Sequence, residues 1–353
     1  MRLSVLALVL ALLPAALLPA QESRRHGVPG VPTAGPIIDV HRHGTWPGSE
    51  AAPYRAQMLE EMDANGVVLA VLSITEPRGI EDWVDAAPGR FMAGPMLPCS
   101  RNLSEPRHYC SPDNEGWADL AWLRAEAERG RITVLHEVIP SYAGLLIGNP
   151  RLAPYLALAA ELDLPVGMHT QRGPRIGSPN STRGRPGCCP EFDPEMGNPA
   201  LLRPVLEQHP GLRVWLQHVG AGRGDFPPFR DETLALLRDY PNVYVDLSIT
   251  NGAMPQAQYE ATLRQLIDAG FGDRVMFGTD NLPIAPILAR MRQVTWLTDA
   301  QRRAILYDNA ARFLRLDEAT IARHHGSGSL GTQNLPDTVN WKIGPILRSR
   351  SSK

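Results

Sequence analysis

Short apolar runs recur along the chain, and each is separated from the next by a longer segment. We count eight: IIDV (37–40), VVLAVLSI (67–74), RFMAGPM (90–96), ITVLHEV (132–138), LPVGMH (164–169), LRVWLQH (212–218), VYVDLS (243–248) and RVMFGTD (274–280). Runs that are continuously apolar, rather than alternating, are typical of parallel strands whose sheet is covered on both faces. The pattern therefore predicts a parallel sheet buried between helices.

The segments between the runs carry helical signals. PYRAQMLEEMDANG ends on Gly66, a residue type that often terminates helices. Two other segments begin with Asn-Pro, at Asn149 and Asn198, where the asparagine can cap the helix and the proline fits its first turn. Strand and helix alternate eight times over about 280 residues, which predicts a single-domain (β/α)8 TIM barrel. A doubly wound open sheet is the alternative, and the lack of GxGxxG after the first run disfavours its dinucleotide-binding form.

The first residues have the composition of a targeting segment. Arg2 precedes the uncharged stretch LSVLALVLALLPAALLPA, and the polar QESRR follows, as in a secretory signal peptide that is cleaved after Ala20. An uncleaved membrane anchor is the alternative, which Pro14 and Pro19 weaken. We therefore expect an exported protein, periplasmic or secreted, that leaves the membrane once the signal is removed.

The remaining segments divide the chain further. Residues 21–35 form a Gly/Pro-rich leader, 36–320 the barrel, and 321–353 a polar, Gly/Ser-containing stretch that we interpret as a flexible tail. The formal net charge of −2 leaves no basic excess for a phosphate backbone and argues against nucleic-acid binding.

The four cysteines show no CxxC spacing, which argues against a structural zinc site built from them. Cys99 and Cys110 could pair in an exported protein, whereas Cys188 and Cys189 are adjacent. Free or partly paired loop cysteines are an equally good interpretation.

Ionisable residues stand at the carboxyl ends of the runs. In a barrel these ends converge on one face, where the active site is built. His41 and His43 share the parity of Ile37 and Asp39, so both imidazoles can point into the barrel mouth together. The predicted metal ligands are His41, His43, Glu137, His169, His218 and Asp280. The HxH spacing is not decisive by itself; the prediction depends on the joint pattern.

Neutral imidazoles with carboxylates suit zinc, and also iron, manganese or nickel. We predict one or two divalent ions, with zinc as the first choice. Such an ion lowers the pKa of its bound water toward ~7, and Asp280 would take the proton and pass it to the leaving group. Glu137 has a rival, because its neighbour His136 could point into the barrel instead.

Four motifs, IDVHRH, LPVGMHT, LRVWLQHVGAG and VMFGTD, resemble the amidohydrolase-related (amidohydrolase 2) branch of the amidohydrolase superfamily, over about residues 36–316. The resemblance implies that His41 and His43 bind the first metal, that His169 and His218 complete the cluster, and that Asp280 is ligand and proton shuttle. VLHEVIPSYAGL is similar to the subset with a strand-4 glutamate. Many relatives carry a carboxylated lysine there, and strand 4 of this chain contains no lysine.

The sequence thus predicts a metal-dependent hydrolase that uses a metal-activated water on a small amide, lactone or ester substrate. A decarboxylase or hydratase of the same superfamily is the alternative among enzymes. A non-catalytic barrel that binds a metal or ligand is the alternative of another class, and the presence of Asp280 argues against it. The resemblance also suggests a homodimer.

Substrate contacts are less defined. The loop 172–199 holds four arginines, of which Arg172 is nearest to His169. The loop would be either a lid that recognises an anionic substrate or a solvated surface loop. Trp46 would form a pocket wall or pack locally. Asp246 would orient a ligand histidine or cap a loop.

Overall fold

The computed structural model describes residues 35–44, 51–75, 79–98, 117–143, 145–171, 194–220 and 229–327. Several predictions fall outside these residues and keep their status as predictions. They concern the signal peptide, the leader up to residue 34, Trp46, Arg172 with its arginine-containing loop, the four cysteines, and the tail beyond residue 327.

Eight parallel strands lie where the apolar runs predict them. They are β1 (Ile37–Gly44), β2 (Val67–Ile74), β3 (Phe91–Pro95), β4 (Leu135–Val138), β5 (Val166–His169), β6 (Val214–Gln217), β7 (Val243–Asp246) and β8 (Val275–Met276). One ladder joins β1, β2 and β3, and a second joins β4 through β8 in chain order. The α/β class and the strand count are therefore confirmed.

Backbone hydrogen bonds close the two ladders into one barrel. At the first junction, Leu97 N donates to Glu137 O over 2.8 Å, just past β3 and within β4. At the second, Val40 N in β1 donates to Phe277 O after β8 over 3.0 Å. Since each junction is parallel and in chain order, the architecture is the closed (β/α)8 barrel rather than the open sheet.

Helices follow the strands around the outside. Their bounds are α1 (Ala51–Ala64), α2 (Ile80–Val84), α3 (Leu120–Glu128), α4 (Ala153–Glu161), α5 (Arg203–Gln208), α6 (Arg230–Asp239), α7 (Thr250–Ala253), α8 (Gln256–Asp268), α9 (Ile284–Gln293), α10 (Asp299–Arg303), α11 (Asn309–Phe313) and α12 (Glu318–Ser327). Both Asn-Pro signals act as predicted. The Asn149 side chain accepts from Arg151 N, and that of Asn198 accepts from Ala200 N, each over 2.9 Å at the start of a 3-10 turn that leads into a helix.

Large side chains of β6 fill part of the barrel interior. Trp215 and Gln217 of β6 are completely buried there. Gly167 in the neighbouring β5 leaves the room they need: a Cβ at this position would lie 2.4 Å from the Trp215 ring and 2.7 Å from Gln217 Nε2. The absence of a side chain at Gly167 thus allows a polar and aromatic layer inside the barrel.

The predicted start of the tail is wrong by seven residues. Helix α12 continues to Ser327, through residues 321–327, which we assigned to the flexible tail. His324 of α12 is buried, and its Nδ1 lies 3.0 Å from the Tyr307 hydroxyl. Packing against the barrel supplies stability that the polar sequence does not indicate by itself. Among the described residues, no helix is both long and apolar enough to cross a membrane.

Candidate metal centre

The six predicted ligands come together at the carboxyl ends of the strands. Their side-chain nitrogen and oxygen atoms form two groups in which every ligand atom lies within 4.8 Å of the others. We call His41, His43 and Asp280 the first triad, and Glu137, His169 and His218 the second triad. The ligands therefore converge as their positions at the strand ends predicted, although β1 and β8 lie across the barrel from β4, β5 and β6.

The first triad joins β1 to the end of β8. Asp280 Oδ1 lies 2.7 Å from His43 Nε2 and 3.8 Å from His41 Nε2. The backbone ties the same residues, since Asp280 N donates to His41 O over 2.8 Å. Asn281 adds two bonds to the His43 main chain: its Oδ1 accepts from His43 N over 3.1 Å, and its Nδ2 donates to His43 O over 3.0 Å.

Glu137 belongs to the second triad and also faces the first. Its Oε1 contacts His169 Nδ1 and lies 3.7 Å from His218 Nε2. The same oxygen is 3.9 Å from His41 Nε2, and Oε2 is 3.7 Å from His43 Nε2. A carboxylate between four imidazoles is placed to bridge two cations or to bind one.

Both His136 and Glu137 point into the barrel, whereas strand alternation predicts that only one of them does. The ladder between β4 and β5 has a register shift between Leu135 and Val138, which interrupts the alternation. His136 is enclosed between His41 and Trp215, with ring centroids 4.8 and 5.2 Å apart, and its Nδ1 lies 2.6 Å from Gln217 Nε2. Glu137 is the one that reaches the other ligands.

Asp246 both orients a ligand histidine and holds a loop, so the two sequence interpretations combine. Its Oδ2 lies 3.0 Å from His41 Nδ1 and accepts from Trp215 Nε1 over 3.2 Å. Its Oδ1 accepts from the backbone nitrogens of His218 and Ser248 over 3.0 and 3.1 Å. Because donors occupy both oxygens, Asp246 acts behind the ligands, although it lies close enough to His41 and His218 to form a third group with them.

Three polar residues that hold the site were not predicted from the sequence. Asn281 has been described; Ser248 lies between His41 and His218; and Asp39 accepts from His41 N over 3.1 Å and from Thr279 N over 3.0 Å. Each is two residues from a predicted site residue or next to one. Parity along β1 and β7 would have identified Asp39 and Ser248, but nothing in the sequence distinguishes Asn281 from an ordinary loop residue.

The site concentrates opposite charges in a buried volume. Burial lowers the pKa of His41, but Asp246, Asp280 and Glu137 outweigh it and raise that pKa to about 10. For Glu137 burial raises the pKa, and His169 and His41 together hold it well below its usual range. Without a metal, the protein thus keeps its carboxylates ionised and a protonated imidazole among them.

This arrangement fits a divalent cation. His41 Nε2 is buried without a hydrogen-bond partner in the described part of the chain, and it points between Asp280 Oδ1 and Glu137 Oε1, at 3.8 and 3.9 Å. Removing its proton would leave a lone pair directed at two carboxylates. Imidazole nitrogens with carboxylate oxygens are the donor set of zinc, manganese and iron sites in proteins.

Comparison with known proteins gives one family match. The model of the amidohydrolase family, Amidohydro_2, matches residues 38–316, a range that includes both triads. No curated protein matches the chain.

Solved structures share the fold at low identity. An uncharacterized TIM-barrel protein from Bordetella bronchiseptica is 19% identical, with 79% of this chain and 98% of that one covered and a TM-score of 0.55. A probable 2-pyrone-4,6-dicarboxylic acid hydrolase from Acinetobacter baumannii, with citric acid bound, is 14% identical (79% and 99% covered, TM-score 0.53). A 5-carboxyvanillate decarboxylase variant from Novosphingobium aromaticivorans, with bound manganese and 3-methoxy-4-hydroxy-5-nitrobenzoic acid, is 14% identical (80% and 98% covered, TM-score 0.52). These likenesses show the fold alone.

Proposed function

The chain belongs to the amidohydrolase family and is an enzyme of that superfamily, and from this premise we propose that it is a metal-dependent hydrolase of small amides, lactones or esters. One observation carries the proposal. Glu137 of the second triad also faces both histidines of the first, so the two triads together offer donors for two adjacent ions. When bound, such ions lower the pKa of a water ligand and polarise the bond under attack. Zinc is our first choice and manganese the second, because the donor set suits both.

Asp280 is the proposed proton carrier. Its side chain is 22% exposed, compared with 4% for Glu137, so it is the carboxylate at the open side of the centre. Burial raises its pKa, but His41 and His43 outweigh it and hold the pKa below its usual range. An ionised Asp280 can accept a proton from the attacking water and deliver it to the leaving group. His43, 2.7 Å away, would keep the carboxylate oriented.

Decarboxylation is the second candidate, and the manganese-containing decarboxylase of the same fold supports it. In that reaction a carbon must receive a proton where the carboxyl group leaves. Hydrolysis and decarboxylation would use the same donor set, and the assay below separates them. Decarboxylase and pyrone-dicarboxylate hydrolase neighbours both suggest a carboxylated ring as a substrate to include in the assay.

The test is metal analysis of the purified protein, followed by assays with zinc or manganese restored. Esters, lactones, amides and aromatic acids would be screened in ¹⁸O-labelled water. Hydrolysis places ¹⁸O in the acid product, whereas decarboxylation releases carbon dioxide and, in D₂O, places deuterium on the ring carbon. Release of carbon dioxide with no ¹⁸O in an organic acid product would overturn hydrolysis. Tight metal binding without turnover of any substrate would favour the non-catalytic barrel.

We further propose that the protein is exported and acts on a small molecule, without a nucleic-acid partner, and as a homodimer. Export and the absence of nucleic-acid binding rest on the apolar N-terminal stretch and the net charge of −2. The mass and first residue of the protein recovered from the producing cells test signal cleavage, which an intact Met1 would contradict. Light scattering after gel filtration tests the dimer.

A further inference from the structure

Ser248 lies just past β7, between two imidazoles that belong to different triads. Its Oγ is 3.0 Å from His41 Nδ1 and 2.9 Å from His218 Nδ1. The same oxygen lies 2.5 Å from Asp246 Oδ1, to which it donates. The residue is completely buried.

The contacts of this hydroxyl fix where the imidazole protons lie. A serine hydroxyl has one proton to donate and two lone pairs that accept. Its proton goes to Asp246, which accepts only, so both lone pairs face the Nδ1 atoms. Both Nδ1 atoms must then carry hydrogen, and a neutral imidazole protonated on Nδ1 has its lone pair on Nε2. The Nε2 atoms of His41 and His218 are the ones that face Glu137.

We propose that Ser248 is a positioning residue that selects the metal-binding tautomer of His41 and of His218 simultaneously, and thereby links the two triads. The inference rests on the proposed metal-dependent function. Outer hydrogen bonds of this kind are known to fix the tautomer and ring direction of ligand histidines. Here one side chain does so for both halves of the centre.

The surroundings leave the hydroxyl little freedom. Gly278, after β8, faces it closely: a Cβ there would lie 3.0 Å from His41 Cβ and 3.3 Å from Ser248 Cβ. The backbone nitrogen of Ser248 is also held by Asp246 Oδ1. Ser248 is therefore fixed by its own backbone as well as by its partners.

The two imidazoles depend on Ser248 to different degrees. His41 Nδ1 keeps Asp246 Oδ2 at 3.0 Å when the hydroxyl is removed. His218 Nδ1 keeps only the Ser248 carbonyl, at 3.3 Å, among its contacts in the described residues. Loss of the hydroxyl should thus weaken both triads, and the second triad more.

The experiment measures metal binding by the full chain, stripped with chelator and then titrated. Zn²⁺ affinity is taken from competition with a chromogenic chelator, and Co²⁺ binding from its visible absorption. Ser248→Ala should lower the affinity about 10- to 100-fold, the usual effect of losing an outer partner. Thr250→Val is the matched control, because it removes a buried hydroxyl of the same loop that, among the described residues, contacts backbone carbonyls and no imidazole: those of His218 and Ser248, each at 3.2 Å. It should bind like the parent.

Three results would overturn the inference. The first is Zn²⁺ and Co²⁺ binding by Ser248→Ala within threefold of the parent, and the second is an equal loss in Thr250→Val. If Ser248→Ala does not fold, the nearly isosteric pair Ser248→Thr and Ser248→Val replaces it, and equal affinities in that pair are the third. A parent protein that binds neither ion would instead refute the proposed function itself, so the two failures are distinguishable.

Discussion

The first and second triads use similar side chains but differ in exposure. In the first triad the His43 and Asp280 side chains are 13% and 22% exposed. In the second, none of the three side chains exceeds 4%. Since a substrate must reach the reacting groups from solvent, the first triad is the half that faces it, and the second is the buried base of the centre.

The two triads are also held in different ways. The first depends on main-chain bonds around β1 and β8, including those of Asn281 to His43 and of Asp280 to His41. Asp280 and Asn281 both adopt a left-handed backbone, with φ of 51° and 57°. The second adds side-chain contacts through Glu137, while His218 shares the left-handed backbone, with φ of 59°, and its backbone nitrogen donates to Asp246 Oδ1. The feature that sets the first triad apart is the pair of bonds from Asn281 to the main chain of the partly exposed His43.

Replacing His41 and His43 together by alanine should have the largest effect. The first triad would lose two of its three ligands, while Glu137, His169 and His218 stay intact. We expect tight metal binding to be lost, by more than the 10- to 100-fold typical of an outer partner, and activity to fall to background. Metal content and chelator competition measure this. If the variant holds as much metal as the parent, the assignment of the first triad is wrong.

Asp280→Asn should separate metal binding from chemistry. The amide keeps the shape and can still contact His43, but it cannot take up a proton. We expect the turnover number to fall about 10²- to 10⁴-fold while part of the metal is retained. A non-catalytic carrier would show neither change. A variant that loses all metal but keeps its fold would instead make Asp280 chiefly a ligand, and the proton carrier would have to be sought elsewhere.

The position of each ligand along its strand explains how far the sequence could predict the site. His41, His43, His169, His218 and Asp280 stand at strand ends, and the barrel brings every strand end to one face. Glu137 was predicted with His136 as a rival, because strict alternation along a strand lets only one of two neighbours face inward. The register shift in β4 that lets both do so cannot be read from the sequence.

The bonds that hold the ligands were harder to foresee. Asn281 and Ser248 act through contacts between residues more than 200 positions apart, with His43 and His41 respectively. Such pairings follow from barrel closure between β8 and β1, and no local pattern encodes them. The helix continuing to Ser327 was missed for the same reason, since its stability comes from packing.

Asn281→Ala tests whether the exposed triad depends on its backbone support. Both bonds to the His43 main chain would be lost, and His43 and Asp280 would drift from each other. A displacement of this kind should lower the turnover number about 10- to 100-fold, with little change in the metal held by the second triad. Asn65→Ala is the control, because in the described part of the chain its amide donates to Glu61 O of α1, and activity should be unchanged. Equal activity of both variants would show that the support is dispensable.

The last expected effect is on stability rather than on activity: the metal-free protein should lose stability as the pH rises, and bound zinc should remove this dependence. Burial disfavours a charged His41, but Asp246, Asp280 and Glu137 raise its pKa from 6.5 to about 10 in the folded, metal-free protein. The protonated His41 therefore contributes to the free energy of unfolding. This contribution is fully present below pH 6.5 and is lost as the pH rises toward 10.

The slope from this one proton is at most about 1.4 kcal/mol per pH unit. Metal binding requires His41 to lose the proton, so the extra stability that zinc confers should grow over the same interval. Urea unfolding between pH 6.5 and 9.5, with chelator or with buffered zinc, measures both. Asp246→Asn removes the carboxylate that raises the pKa of His41 most, so it should flatten the dependence of metal-free stability on pH. An unchanged dependence would mean that His41 is not the group responsible.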